Sequence, residues 1–178
     1  SVTASAAVTV VTVRPEPDLI LEAVPGASIP DNGCSSSSLT STINVSDSML
    51  LARVSGGVGI THTYRGDLRV ALTSPSGTTV SLIDRVGSGN FGSNADNLDV
   101  LIDDAGQQGA FASNNHAFAP PYYDIEGAPE SGSNGSGVGA LESFIGESAQ
   151  GTWAIAVCDG AADDPGTLER WALYLVAP

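Results

Sequence analysis

Hydrophobic and polar residues alternate with a period of two along most of the chain. Val54, Val58 and Ile60 share one parity, while glycine, serine and threonine fill the other. This period is typical of strands that bury one face. The same alternation returns at residues 68–73, 80–82, 98–102, 153–157 and 171–175.

Turn residues separate these predicted strands. Residues 74–77 (SPSG) place proline second and glycine fourth, which is the signature of a type I turn. One short helical turn is predicted at residues 140–145, where Leu141, Phe144 and Ile145 share a side. Many short strands joined by such turns, with no long helix, predict an all-β sandwich or jelly roll.

The composition narrows the range of partners. The chain has 178 residues, a formal net charge of −14, six arginines and no lysine. Such a surface repels nucleic-acid phosphates and anionic membranes, so we expect neither as a partner. No apolar run approaches the ~20 residues that a transmembrane helix requires.

Residues 1–28 differ in character from the rest of the chain. A strand-like run at residues 8–13 is followed by RPEPD (residues 14–18), whose prolines cannot donate to a β-ladder, and then by residues 19–24. We interpret residues 1–28 as a linker or the end of a preceding domain; docking as an edge strand is an open alternative. Any secretory signal is expected to lie upstream or to have been removed, because no basic segment followed by an apolar one is present.

Two cysteines, Cys34 and Cys158, lie 124 residues apart. An even count in a polar, glycine- and serine-rich chain favours one disulfide and an oxidising compartment. The alternative is a pair of buried free thiols. A metal site is disfavoured because no neighbouring residues resemble a metal-binding cysteine pair.

The tripeptide Arg65-Gly66-Asp67 is one that animal cell-adhesion receptors recognise, but it also suits a strand connection. Glycine supplies unusual backbone angles, and aspartate hydrogen-bonds the backbone of its own turn. The flanking apolar residues continue in step, so we predict a structural role for Asp67 and for an inward-facing His62. Adhesion is the alternative, since short motifs often match by chance.

Catalysis has little support in the sequence. A serine nucleophile needs an adjacent base and an orienting group. The two histidines are His62, assigned to the core, and His116, and no Gly-x-Ser-x-Gly elbow is present. A glycosidase would need two catalytic carboxylates, and nothing in the sequence indicates which of the acidic residues would form that pair. A free-standing hydrolase would have to depend on His116.

Loop carboxylates are candidate ligands for calcium, which binds six to eight oxygens. One pair follows a predicted strand, one group lies in the loop after Cys158, and one further aspartate could approach either. The alternative is that these acids cap turns, because neither group has EF-hand spacing. The candidate ligands are Asp47, Asp103, Asp104, Asp159, Asp163 and Asp164.

Aromatic residues crowd one long loop and form a possible substrate-binding site. Phe118, Tyr122 and Tyr123 lie close together there, with two prolines between them. Exposed rings could bind sugar or peptide, whereas the alternative is that they plug one end of the fold.

Several spaced blocks occur together in the chain: IPD at 29–31, HTYRGDL at 62–68, LTSPSGT at 72–78, GTW at 151–153, GTL at 166–168 and WAL at 171–173. Phe144, Gly146 and Asp159 fit the same pattern. Together these blocks resemble the P domain, or Homo B domain, of kexin- and furin-like proprotein convertases and of secreted bacterial proteases. The resemblance covers about residues 29–178.

The resemblance implies a jelly-roll β-sandwich of antiparallel strands that is not itself catalytic. It implies a secreted parent protein, expected to be a serine endopeptidase, with this domain packed on the catalytic protease domain of the same polypeptide. The implied role is to support the folding, stability and pH or calcium response of that domain, and to assist engagement of protein substrate. Trp153 and Trp171 are expected to anchor the core. The alternative is a calcium-dependent binding module for insoluble protein or polysaccharide.

Overall fold

The computed structural model describes residues 15–112 and 115–178, so the strand predicted at residues 8–13 lies outside the described residues. The fold is all-β, as predicted. Its eleven strands are β1 (Leu19–Ala23), β2 (Ala27–Ile29), β3 (Leu39–Val45), β4 (Arg53–His62), β5 (Leu68–Thr73), β6 (Thr79–Asp84), β7 (Leu98–Gln107), β8 (Ile125–Gly127), β9 (Glu130–Ser131), β10 (Gly151–Asp159) and β11 (Gly166–Val176).

The strands form two sheets that pack as a sandwich. The first sheet has the order β1-β11-β4-β7-β8, with β2 also paired to β11, and the second has the order β3-β10-β5-β6-β9. Several consecutive strands lie in different sheets, as β3 and β4 or β10 and β11 do, whereas β5 and β6 are neighbours in the second sheet. The sandwich is confirmed, whereas its assignment as a jelly roll stays a prediction.

The pairing differs from the predicted all-antiparallel arrangement at two edges. The short strand β8 pairs parallel with β7, and β9 pairs parallel with β6. Each of these strands is separated from its partner by a long stretch of chain, and a chain that returns after such a stretch can pair in either direction. The other paired strands are antiparallel, including β1, which pairs with β11. Part of the segment interpreted as a linker is therefore an edge strand, and the domain division at residue 28 stays a prediction.

The core lies between the sheets and contains both tryptophans. Trp153 of the second sheet is fully buried, and its indole meets Phe144 edge-to-face with centroids 5.2 Å apart. Trp171 of the first sheet is also buried and donates from Nε1 to the Ser41 hydroxyl of the second sheet at 2.9 Å. Buried aromatic residues contribute large apolar area, and this hydrogen bond also joins the two layers.

Strand β4 departs from the predicted one-faced pattern. Val54, Val58 and Ile60 face the core, but Ser55 and the glycines on the opposite face are buried as well. The long connection between β7 and β8 covers that outer face, where its Phe118 and Tyr123 rings pack on glycines of β4. Hydrophobic alternation identified the inner face correctly but could not reveal this cover.

The predicted helical turn is a 3-10 helix at Leu141–Phe144. Leu141 and Phe144 are buried, whereas Ile145 is 53% exposed, so its predicted place on the same side is wrong. A 3-10 helix has three residues per turn, which aligns residues 141 and 144 and turns residue 145 away. Within the described residues, no helix is long and apolar enough to cross a membrane.

The structure contains the predicted disulfide. Cys34 lies in a 3-10 helix at Gly33–Ser35, and Cys158 lies near the end of β10, with Cα atoms 4.9 Å apart. The bond ties the entry segment to the centre of the second sheet. It closes a loop of 124 residues, which restricts the unfolded chain strongly.

We predict that replacing both cysteines, Cys34→Ser with Cys158→Ser, lowers the free energy of unfolding by about 2–5 kcal/mol. Urea denaturation of the oxidised wild type and the double variant measures the difference. Wild type treated with a reductant serves as the control and should approach the variant. Equal midpoints for all three proteins would contradict a stabilising role for this bond.

Candidate functional site

The Arg65-Gly66-Asp67 tripeptide is buried. Arg65 has no solvent-exposed surface and Asp67 is 5% exposed, and the three residues form a 3-10 turn between β4 and β5. Such a turn is closed to an adhesion receptor, which would need to contact both charged side chains. The tripeptide therefore connects two strands, and its charges act inside the fold.

The guanidinium of Arg65 joins three segments of the chain. Nη1 donates to the carbonyl of Phe111 at 2.8 Å and to Nε2 of His116 at 2.7 Å, and Nε donates to the carbonyl of Ala95 at 3.3 Å. Burial lowers the pKa of Arg65 to about 10, so it stays cationic at neutral pH. Buried Glu130 lies near enough to favour that charge, and it also accepts from the backbone amide of Phe111.

His116 is held as a neutral acceptor. Its Nε2 accepts from the Arg65 guanidinium, so Nδ1 carries the ring proton, and the backbone amide of Asp99, 3.3 Å from Nδ1, is a close contact and not a hydrogen bond. Burial, reinforced by the charge of Arg65, lowers the pKa of His116 to about 4. A protonated ring would present N–H groups to two other donors, so this residue is poorly placed to act as a base toward a substrate.

His62 is also occupied at both ring nitrogens. Its Nδ1 accepts from the backbone amide of Tyr64 at 3.0 Å, which leaves the proton on Nε2 to donate to Asp159 at 3.3 Å. Both side chains are buried. The pair resembles the base and orienting group of a hydrolase in composition, but no ring nitrogen is left to activate a nucleophile.

Asp67 adds a second carboxylate to this buried region. Burial raises the pKa of Asp67, and the negative charge of Asp159 raises it further. Arg85 offsets part of that effect, with Nη2 located 3.5 Å from the Asp67 carboxylate. His62 and Asp67 thus belong to one buried polar cluster below the β4–β5 turn.

The first predicted calcium pair is engaged by protein donors. Asp103 is buried and receives a hydrogen bond from Nε of Arg53 at 2.9 Å, and another from the hydroxyl of Ser55. Asp104 accepts from the backbone amides of Leu141 and Glu142 at 2.8 and 2.7 Å, which caps the 3-10 helix. Asp104 therefore caps a turn, whereas Asp103 is paired with side chains of β4.

The second predicted calcium group is spread over several contacts. Asp159 accepts from the amide of Ala161, Asp164 accepts from the Thr63 hydroxyl at 2.7 Å, and Asp163 donates its amide to Asp31. Asp47 is exposed and contacts the hydroxyl of the adjacent Ser46. Within residues 15–112 and 115–178, no three His, Cys, Asp or Glu side chains are grouped as a metal site. Calcium binding stays a prediction.

The predicted aromatic site lies across the outer face of the first sheet. The rings of Phe118 and Tyr122 are 5.2 Å apart, and the Arg170 guanidinium lies 3.5 Å from the centre of the Tyr122 ring. Arg170 also donates to Glu22, which accepts from the hydroxyl of Tyr123 at 2.9 Å. The three aromatic residues are therefore brought together, but the chain's own cation already occupies the face of Tyr122.

Two glycines of β4 make room for these rings. A Cβ atom on Gly57 would lie 2.9 Å from the Tyr123 ring, and one on Gly59 would lie 2.8 Å from Phe118 and 2.7 Å from Arg170. Glycine inside a strand often marks such a close approach. This signal was available in the sequence, although it could not say which residues approach.

Asp99 was not singled out from the sequence, yet it anchors the aromatic loop. It is fully buried on β7 and accepts from the backbone amide of Tyr123 at 2.7 Å. Burial raises the pKa of Asp99, and the Tyr123 hydrogen bond offsets part of this effect. An aspartate in an apolar strand has no local pattern that reveals such a contact.

Residues 51–117 and 124–175 match the family model described as the proprotein convertase P-domain. Two solved structures resemble the fold, each with a TM-score of 0.51: the serine protease of Aeromonas sobria, at 19% identity, and the same protease in complex with the chaperone ORF2, at 20%. They cover 94% and 92% of this chain, which spans 28% of each protease chain. Comparison with curated protein sequences gave no match.

We predict that Gly57→Ala and Gly59→Ala each lower the free energy of unfolding by about 1–3 kcal/mol, because the added methyl group meets a packed ring. Gly56→Ala is the matched control on the same strand. Its Cβ would lie 3.7 Å from Leu82, an ordinary contact, so we expect a change below about 1 kcal/mol. Urea denaturation compares the three, and equal effects would contradict the ring packing.

We predict that His116 makes folding sensitive to mild acid. A histidine with a folded pKa of about 4 and an unfolded pKa of ~6.5 stabilises fully above pH 6.5, and this contribution is lost as pH falls toward 4. Between pH 7 and pH 5 the loss is about 2 kcal/mol. The raised pKa values of Asp67, Asp99 and Glu130 act in the opposite direction.

Comparison with His116→Gln isolates the histidine contribution, because the variant keeps the three carboxylates. The stability of wild type, measured by urea denaturation, should fall more steeply between pH 7 and pH 5 than that of the variant. Parallel pH profiles for the two proteins would show that His116 does not titrate as described.

Proposed function

Because this chain belongs to the proprotein convertase P-domain family, we propose that it is the non-catalytic C-terminal P domain of a secreted serine protease. In this role it stabilises and regulates the adjacent catalytic domain of the same polypeptide and assists engagement of protein substrate. The observation that carries the proposal is the family match over residues 51–117 and 124–175. The shared fold with the Aeromonas sobria serine protease supports it.

The geometry of both histidines supports a non-catalytic role. In His62 and His116, the ring nitrogens face backbone amides, a carboxylate or a guanidinium. A nucleophile needs hydrogen-bond contact with a base, and no such contact links a serine, threonine or cysteine side chain to either ring within the described residues. The catalytic groups are therefore expected in the adjacent domain.

The disulfide supports a secreted location. Cys34 and Cys158 form a bond that persists in oxidising compartments and is uncommon in the cytosol. We propose regulation by calcium without assigning its ligands, because the candidate carboxylates accept hydrogen bonds from protein groups in the described structure.

A calcium-dependent binding module is the second candidate function. The half-buried rings of Phe118 and Tyr122 favour it, since part of each remains accessible beside Arg170. Retention of the chain on insoluble collagen, casein, chitin or cellulose in calcium, and its release by EDTA, would favour this module over the stabilising role.

The proposed function predicts that the parent protein depends on this domain. Removal of residues 29–178 from the parent polypeptide should reduce the yield of active secreted protease and shorten its half-life at elevated temperature. The control is the intact parent with Glu126→Gln, a substitution at an exposed position. It shows how much a sequence change that keeps the domain affects yield and half-life. Equal yield and half-life after truncation would overturn the stabilising role, and a parent without a protease domain would overturn the proposal.

A further inference from the structure

Three cavities at an end of the first sheet are neighbours through shared lining residues, and together they are called the groove. Their volumes are about 220, 270 and 420 Å³. The first two share Arg53, which begins β4, and the last two share Asp104 and Glu142. The groove therefore runs from the entry segment at residues 15–17 past the 3-10 helix at Leu141–Phe144.

The groove exposes several apolar side chains beside polar ones. Ile145 is 53% exposed beside the middle cavity, although it is the large aliphatic residue that follows the 3-10 helix. An exposed apolar surface within a groove is typical of a binding site. The larger apolar side chains in the lining are those of Leu101, Tyr174, Val176, Ile145 and Val138, which are exposed or half-buried, and that of Val54, which is buried.

The rim of the groove is acidic. Glu16, Asp104 and Glu142 are exposed there, whereas Asp103 lines the groove but is buried, and Arg53 is the basic residue in the same lining. Arg53 is already paired with Asp103, and Asp104 caps the 3-10 helix. The exposed carboxylates of Glu16 and Glu142 are left to face a ligand, which gives the groove a negative potential along its length.

The described arginines outside the groove are engaged elsewhere in the fold. Within the described residues, Arg65 is buried, and Arg69, Arg85 and Arg170 are paired with Asp84, Asp67 and Glu22. None of these arginines lines the groove. The chain also has no lysine.

We propose that this groove binds an extended basic segment of a partner protein, with arginine or lysine side chains alternating with apolar ones. The methylene stems of the basic residues would pack on the apolar walls, and their charged ends would face Glu16 and Glu142. Long basic side chains suit this mixture because they combine an apolar stem with a cationic head. The proposal goes beyond the stabilising role and does not require the attached protease.

The probe is a fluorescein-labelled, acetylated hexapeptide of alternating valine and arginine. Its control is the same peptide with citrulline, a neutral isostere, in place of arginine. Fluorescence anisotropy measures affinity, and ¹⁵N NMR of the chain locates the contact. We expect shift changes confined to the groove and at least about tenfold weaker binding of the citrulline peptide.

Two variants test the groove directly and keep the fold, because they alter exposed side chains. Glu142→Gln should weaken binding of the arginine peptide roughly two- to fivefold, and Ile145→Ser should weaken it as well. Glu126→Gln, at an exposed glutamate outside the groove, should leave affinity unchanged.

Diffuse attraction to an acidic surface is the main competing explanation, and the same experiment separates it. Equal weakening by Glu126→Gln and Glu142→Gln, shift changes spread over the surface, or equal binding of the citrulline peptide would each overturn the proposal. Absence of binding would overturn it too. These results concern the isolated chain, so they leave the truncation test of the parent protease independent.

Discussion

The buried guanidinium of Arg65 is the interaction on which much of this structure depends. A cation without solvent contact is costly unless nearby groups interact with it, and here two carbonyl groups and an imidazole accept from Nε and Nη1, while the buried Nη2 has no hydrogen-bond partner among the described residues. Those partners are Ala95, which precedes β7, and Phe111 and His116, which both lie in the connection after β7. Satisfying one charge therefore fixes the path of the long connection between β7 and β8.

That fixed path explains why the first sheet is covered on its outer face. After His116, the connection crosses β4, where Gly57 and Gly59 leave room for Tyr123 and Phe118. Asp99 then holds the backbone of Tyr123. The aromatic residues thus form part of the packed cover of this sheet, although Phe118, Tyr122 and Tyr123 stay half-exposed.

Sequence patterns predicted the features that depend on local order. Alternation identified the inner faces of the strands, and turn chemistry identified Arg65-Gly66-Asp67 as a strand connection. The cysteine count indicated the disulfide, and spaced blocks indicated the family. Contacts between distant segments were not predictable in this way: the parallel pairing of β8 and the stacking of Arg170 on Tyr122 depend on where the long connection returns. The arginine partner of Asp103 and the helix amides that Asp104 contacts were also not predictable, because they are distant in sequence from these candidate calcium ligands.

The distribution of charge connects the fold to its partners. Arg53, Arg65 and Arg170 are used for contacts within the described structure, so they do little to offset the exposed carboxylates. A net charge of −14 attracts any basic molecule at long range, and salt screens that attraction. Specific recognition therefore needs an apolar surface at short range as well. The groove beside Ile145 combines both features, whereas an exposed acidic turn offers attraction alone.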